Sequence, residues 1–447
     1  MNAKFEAALR WRSRHASHCD RRYFAAADLR RHDLPGDLAE RLAHCAAGET
    51  VSIEMKPGEA LPDIDARLRR SLRTEQFKRV MLYGVPIELR YGRFYPCSLL
   101  LGVPDVSPGE RRGFRCTGRD ADRFEADLNH PLAGVPLTVE ITPLPDCGSV
   151  DGPGEPVRNI AAALADNGPG MQAPPAAGDT DFFSGNPFAR SDEGDDTLFY
   201  RAPRLVHHLD ATAMERVRAL YGRLLVPGMA VLDLMSSWTS HLPGHIDGLR
   251  VTGLGMNREE LERNSRLAHR VVRDLNLDPV LPFGNAEFDA ALCTVSVEYL
   301  TRPSAVFREA ARVLKPGAPF LVTFSERWFP PKVVRIWTEL HPFERMGLVL
   351  DYFRRCEGFT ALASESVRGL PRPPDDKYAR VMPFSDSIYA VWGARREESG
   401  VMPPAPVRAD VRVSRHPAAD VILCRPDRTG PRKCEVSHRE NMTLEAR

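Results

Sequence analysis

Three short stretches hold most of the residues that could do chemistry. The first, Asp233-Leu-Met-Ser-Ser-Trp-Thr-Ser240, sets a carboxylate ahead of the hydroxyls of Ser236, Ser237, Thr239 and Ser240. The second is Gly253-Leu-Gly-Met256-Asn257 and the third Asp274-Leu-Asn276-Leu-Asp278. Carboxylates, amides and hydroxyls hold the polar atoms of a small ligand, and glycine lets it approach the backbone. Further on, Ser296-Val-Glu298-Tyr299 puts a carboxyl beside a phenol. Glu298 could take a proton from an amine or hydroxyl with Tyr299 orienting it. Equally, Glu298 could cap the next helix while Tyr299 packs. His207 and His208 lack metal-ligand spacing and read as structural, whereas His241 follows the first stretch closely and is a site candidate. The cysteines stand singly, with no C-x-x-C pair, so no zinc site is expected.

The first two stretches follow strand signals, and the third follows an expected helix and leads into Leu281-Pro-Phe283. Residues 230–234 are a continuous apolar run, after a helix whose Met214, Val217, Leu220 and Leu224 recur at helical spacing. A second strand is expected at 249–253, a helix at 258–275, a third apolar run at 288–297, a helix at 304–314 and a fourth strand at 320–325. Strands separated by such helices imply right-handed crossovers and a buried parallel sheet. The fold expected is α/β, a doubly wound parallel sheet, in which ligands bind at the carboxyl ends of the strands.

The strand Val-Leu-Asp-Leu (231–234), then LPF…FDAALCTVSVEYL, then FREAARVLKPGAPFLVTF, resemble in order and spacing the class I S-adenosylmethionine-dependent methyltransferases of type 11. The resemblance covers roughly 198–395 and implies a Rossmann-like domain, S-adenosylmethionine as cofactor and an acceptor of undefined identity. It carries the cofactor roles onto Asp233, Ser236, Ser237, Gly253, Met256, Asn257, Asp274 and Asn276. Glu298, Tyr299 and Trp328 fall where substrate approaches in the family. Two features depart from it. The loop after the first strand lacks the family's glycines, and Gly255 stands where an acid usually receives the ribose. DLMSSWTSHLP with GLGMN is similar to a bacterial and plant methyltransferase-like subgroup with the same substitutions. Trp328-Phe329-Pro-Pro331 and the following aromatic helix would form either a lid or a packing layer.

Residues 1–147 read differently. Basic clusters (RSRH, DRRYF, DLRRHD) balanced by acids suggest solvated helices in the first half, and short strands follow. Asp127-Leu-Asn-His-Pro-Leu132-Ala-Gly134 with Leu137, Val139 and Ile141 resembles SlyD-type FKBP prolyl isomerases. The resemblance implies a small α+β domain in which Leu132 lines the proline pocket, with Val139 where the family has an aromatic ring. A proline-containing peptide would then be a partner.

Gly/Pro-rich 148–180 reads as a flexible linker, leaving a methyltransferase-like domain at 181–396 and a disordered tail at 397–447. The net charge of +1 gives no pull toward nucleic acid or membrane, and no apolar run reaches a membrane span. Dispersed cysteines suggest a cytoplasmic protein. Three functions follow: methyl transfer, non-catalytic binding by both modules, or prolyl isomerisation.

Overall fold

The chain opens on strand alternation rather than helical spacing. In β1 (Asn2–Arg12) Phe5, Ala7, Leu9 and Trp11 are buried, and β1 pairs antiparallel with β2 (Ser17–Asp28). Of the basic residues expected on helices, Arg12 ends β1 and Arg21 and Arg22 stand on β2, while residues 29–33 of DLRRHD lie outside the described residues. Arg10 reaches Glu140 at 2.7 Å and Arg21 reaches Glu6 at 3.1 Å. The helical expectation for this half is thereby corrected, because a period of two buries one face and pairs charges on the other.

The computed structural model describes residues 2–28, 37–82, 84–107, 109–110, 112–144 and 160–397, all within one compact unit, Met1–Val401. After α1 (Leu38–Ala43) come β3 (Val51–Met55), β4 (Arg69–Arg73), the small hairpin β5 (Met81–Leu82) and β6 (Val85–Pro86), β7 (Phe94–Pro96), β8 (Gly113–Arg119), β9 (Arg123–Asp127) and β10 (Leu137–Pro143). Strands β4, β9, β8 and β7 form their own sheet over Phe77, Tyr95, Phe114 and Phe124. Then α2 (Ile160–Ala165) and α3 (Asp196–Phe199) lead into α4 (Ala211–Leu224), β11 (Ala230–Leu234), β12 (Arg250–Gly255), α5 (Arg258–Arg263), β13 (Leu267–Val272), β14 (Ala290–Thr294), α6 (Pro303–Val313), β15 (Pro319–Phe324), α7 (Arg335–Glu339), α8 (Pro342–Arg355), β16 (Phe359–Arg368) and β17 (Ile388–Arg395).

One sheet of eleven strands, ordered β13-β12-β11-β14-β15-β17-β16-β2-β1-β10-β3, crosses the unit. From β13 to β15 it is parallel, and the order reverses between β11 and β14. That reversal is the switch point where such sheets bind ligands. The long helix expected at 258–275 ends at Arg263, and β13 follows. Buried Asn264 turns the chain there, donating its amide to the Ser237 carbonyl and Ser240 Oγ, each at 2.9 Å.

The flexible-linker expectation is also corrected where the chain is described. Ile160, Ala161, Leu164 and Ala165 of α2 are buried in one core with Phe5 and Leu9 of β1. The Arg115 guanidinium donates to the Ala173 carbonyl at 2.8 Å, and Gln172 is buried. Parallel pairing of β16 with β2 makes one sheet of what the sequence divided in two. Residues 145–159 and 398–447, holding the rest of the expected linker and nearly all of the tail, lie outside the described residues. Leu132 and Val139, expected around a proline pocket, are 1% and 0% exposed inside the core shared with β1. They are packing residues, and an FKBP-like domain is not supported.

Candidate active site

A cleft of about 1170 Å³, continuous with solvent, opens at the carboxyl ends of β11, β12 and β14. Asp233, Ser236, Ser237, Met256, Asn257, Asp274, Asn276 and Tyr299 all line it, so the structure gathers most of the residues singled out by sequence. Gly253, Glu298 and Trp328 are not on its wall. Gly253 sits beneath it, where a β-carbon would press on Leu267 at 2.5 Å and on Ser236 Oγ at 3.1 Å.

The loop after β11 solves without glycine a problem that glycines usually solve. Met235 takes a left-handed φ of 56°, which is costly for a side chain with a β-carbon. The turn folds the loop back, and the Ser236 N–H donates to the Leu254 carbonyl at 2.8 Å. Ser236 Oγ donates to Asp233 Oδ2 at 2.6 Å. Burial pushes the Asp233 carboxyl up to about 6, against the opposing pull of hydrogen bonds from Ser236 and Ser240. Among the described residues, the next four backbone N–H groups, Ser237 through Ser240, have no hydrogen-bond acceptor. Unpaired N–H groups beside a strand end are donors that an anion can use. The missing acid has an equally local cause, because a β-carbon on Gly255 would collide with the Ser236 carbonyl oxygen.

Several expected ligand-binding side chains are committed elsewhere. Asn257 caps α5, accepting from the Glu260 N–H at 3.0 Å, and its amide donates to the carbonyls of Tyr200 and Arg201 at 2.9 and 3.0 Å. Asn276 donates to Asp196 at 3.1 Å and to the Tyr299 carbonyl at 3.0 Å, and accepts from the Thr301 N–H. Ser237 Oγ donates to Glu260 at 2.6 Å. These three therefore shape the wall. Asp274 accepts the N–H groups of Asn276 and Leu277 on one oxygen and keeps the other unbonded. Burial raises Asp196, but hydrogen bonds from Arg190, Asn276 and Lys332 outweigh it and hold the carboxyl below its ordinary range.

Glu298 is 1% exposed, and neither side-chain oxygen has a hydrogen bond. Burial pushes it up to about 8, so it is protonated at neutral pH and poorly suited to act as a base. The Tyr299 hydroxyl accepts from the Phe329 N–H at 2.8 Å. Trp328 lies against the Arg345 guanidinium at 4.5 Å. The helix expected as a lid or packing layer is the latter, with Met346, Tyr352 and Phe353 all buried.

Sequence reasoning missed the other half of the wall. Tyr200, Arg204, His207, His208 and Phe329 line it together with Trp238 and His241. His207, read as structural, stacks on Trp238 at 4.4 Å and stands 6.2 Å from His241. Burial lowers His241 to about 4. The five missed residues come from two segments over a hundred positions apart, and no spacing rule links them. Among the described residues, no cluster of His, Cys, Asp and Glu could hold a metal ion, and no helix is long and apolar enough to cross a membrane.

Solved structures resemble the chain over part of its length. The complex of the Haloferax volcanii Trm112 methyltransferase activator with a proposed methyltransferase has a TM-score of 0.32 at 19% identity, covering 42% of this chain and 91% of that one. A Thermotoga maritima S-adenosylmethionine-dependent methyltransferase, described as a possible histamine N-methyltransferase, has a TM-score of 0.31 at 15% identity, covering 43% and 92%. A Mesorhizobium loti S-adenosylmethionine-dependent methyltransferase has a TM-score of 0.26 at 16% identity, covering 40% and 96%. No curated protein matches the sequence. Residues 236–322, from the loop after β11 into β15, match the family model described as a methyltransferase domain.

Proposed function

We propose that the chain is an S-adenosylmethionine-dependent methyltransferase. The observation that carries this reading is the row of unpaired N–H groups from Ser237 to Ser240, set at the switch point directly after Asp233. These donors fit the carboxylate of the cofactor's amino-acid arm. With residue 255 closed to any side chain, the Glu260 carboxylate on the same wall is placed to receive the ribose hydroxyls, and the unbonded oxygen of Asp274 to accept from the adenine amine. When bound, the cofactor supplies an electrophilic methyl group. The protein's own contribution is placement and exclusion of water, which can supply most of the rate without a catalytic base. Asn257, Asn276 and Ser237 brace the wall by bonding to Tyr200, to Tyr299 and to Glu260 respectively.

Calorimetry with S-adenosylmethionine and S-adenosylhomocysteine tests this. Both are expected to bind, and Asp274→Ala to weaken binding by about 1–3 kcal/mol. No heat of binding with millimolar cofactor would leave the non-catalytic binding reading in its place.

A further inference from the structure

The ring-lined half of the cleft has a chemistry of its own. Tyr200, His207, His208, Trp238, His241 and Phe329 supply flat apolar surface. Among them stands Arg204, whose guanidinium carbon lies 4.5 Å from the Phe199 ring, 5.5 Å from Tyr200 and 5.1 Å from Phe329. Its Nη2 donates to the Phe199 carbonyl at 3.0 Å, while Nη1 is buried without a partner. What sets Arg204 apart is its place on the cleft wall with its guanidinium held against rings rather than against a carboxylate.

Of the acids nearest the rings, Asp196 is already paired with cations. Asp196 already accepts from Arg190 at 2.7 and 2.8 Å, from Lys332 at 3.0 Å and from Asn276 at 3.1 Å. Glu260 accepts the Arg204 backbone N–H at 2.7 Å and the Ser237 hydroxyl. Among the described residues Arg204 has no ion-pair partner, so an anionic oxygen entering from the cleft would meet an uncompensated guanidinium.

We propose that this half of the cleft recognises a planar aromatic ring bearing an anionic oxygen group, such as an aromatic carboxylate. The proposal rests on the same cleft being the reaction site, and names the class of acceptor held there. The ring lies among the aromatic side chains, and the oxygen group pairs with Arg204, whose fixed fork suits a planar anion.

The test is calorimetry of the full chain with benzoate, benzylamine and cyclohexanecarboxylate, in the absence of any methyl donor. Benzoate is expected to bind at least about tenfold more tightly than either of the others. Arg204→Gln is expected to abolish the preference for benzoate over benzylamine, and Arg204→Lys to restore part of it. Because Arg204 packs on three rings, a thermal melt of each variant accompanies the titration, and if either unfolds, the wild-type ranking decides alone. Benzylamine binding as tightly as benzoate, no benzoate binding, or an unchanged preference in folded Arg204→Gln would each overturn the proposal. Cofactor binding without benzoate binding removes this inference and leaves the methyltransferase reading standing. Benzoate binding without cofactor binding keeps the recognition of a ring and an anion but removes the methyltransferase reading, and with it the role as acceptor.

Discussion

The carbonyl oxygen of Ser236 occupies the space that a β-carbon on Gly255 would need. One contact therefore accounts for both departures from the methyltransferase pattern. The loop after β11 folds back on the end of β12, and the acid usual at that end has no room. Restoring it is predicted to fail. Gly255→Asp should lower the melting temperature markedly, as overpacking that backbone must displace costs about 1–3 kcal/mol or more. A variant melting with wild type would show that the loop stands elsewhere in solution.

Glu298 predicts an alkaline loss of stability. Its folded value of about 8 lies above the ordinary 4.5, so between these the folded chain holds a proton that the unfolded chain has released. Stability contributed by the protonated form is complete below pH 4.5 and declines as pH rises through about 8. Asp233, raised to about 6, acts in the same direction over a narrower window. Glu298→Met removes the larger effect, and should be more stable than wild type at pH 9 by on the order of a few kcal/mol, with a much smaller advantage at pH 4. Urea denaturation at the two pH values measures this, and parallel curves for the two proteins would refute it.

The single sheet predicts single unfolding. Ser17 to Arg22 of β2 pair with Ala363 to Arg368 of β16, and α2 fills the core beneath β1. A fragment ending at residue 147 would expose that strand edge and lose the α2 side chains. Differential scanning calorimetry of the whole chain is expected to give one transition, and fragments divided in the 148–180 stretch to melt without cooperativity. Two resolved transitions in the intact protein would restore the independent-module picture.

The contrast between what could and could not be read from sequence follows from the range of the interactions. Strands β11 and β15 and helix α6 were legible because each is a local pattern, a continuous apolar run or Pro303 opening a helix with Val306, Phe307 and Ala310 on its buried face. The strand-end residues followed from the sheet type alone. Helix α5 was overextended because its end is set by Asn264 reaching the loop after β11, a contact invisible to periodicity. The join between β2 and β16 spans 346 positions, and Gly/Pro-rich sequence in between reads as a linker whether or not it packs. Asn257 and Asn276 had the right location and the wrong role, since only geometry shows their amides already bound.

The last prediction concerns the segment that carries Tyr200 and Arg204 over the cleft. Lys332 is fully buried, and its ammonium reaches Asp192 at 2.9 Å, Asp196 at 3.0 Å and the Gly194 carbonyl at 2.9 Å. It ties the chain before α3 to the turn after β15, and Asp196 passes the restraint to Asn276 on the cleft wall. Removing one member of a buried ionic cluster leaves charge without compensation, so Lys332→Met should cost about 3–5 kcal/mol at pH 7. Asp196 fixes the sign of the pH dependence. Its carboxyl is held below the ordinary 3.8, so its stabilisation is present above that value and lost as pH falls through the depressed one. Without Lys332 the carboxyl loses one of the donors that depress it, and the acid-induced loss should be shallower than in wild type. If the segment positions the cleft, cofactor affinity should fall as well, under conditions where the variant remains folded. Denaturation curves at pH 7 and pH 3 with calorimetry at pH 7 separate the two effects, and unchanged stability at pH 7 would show that the buried lysine does not hold this segment.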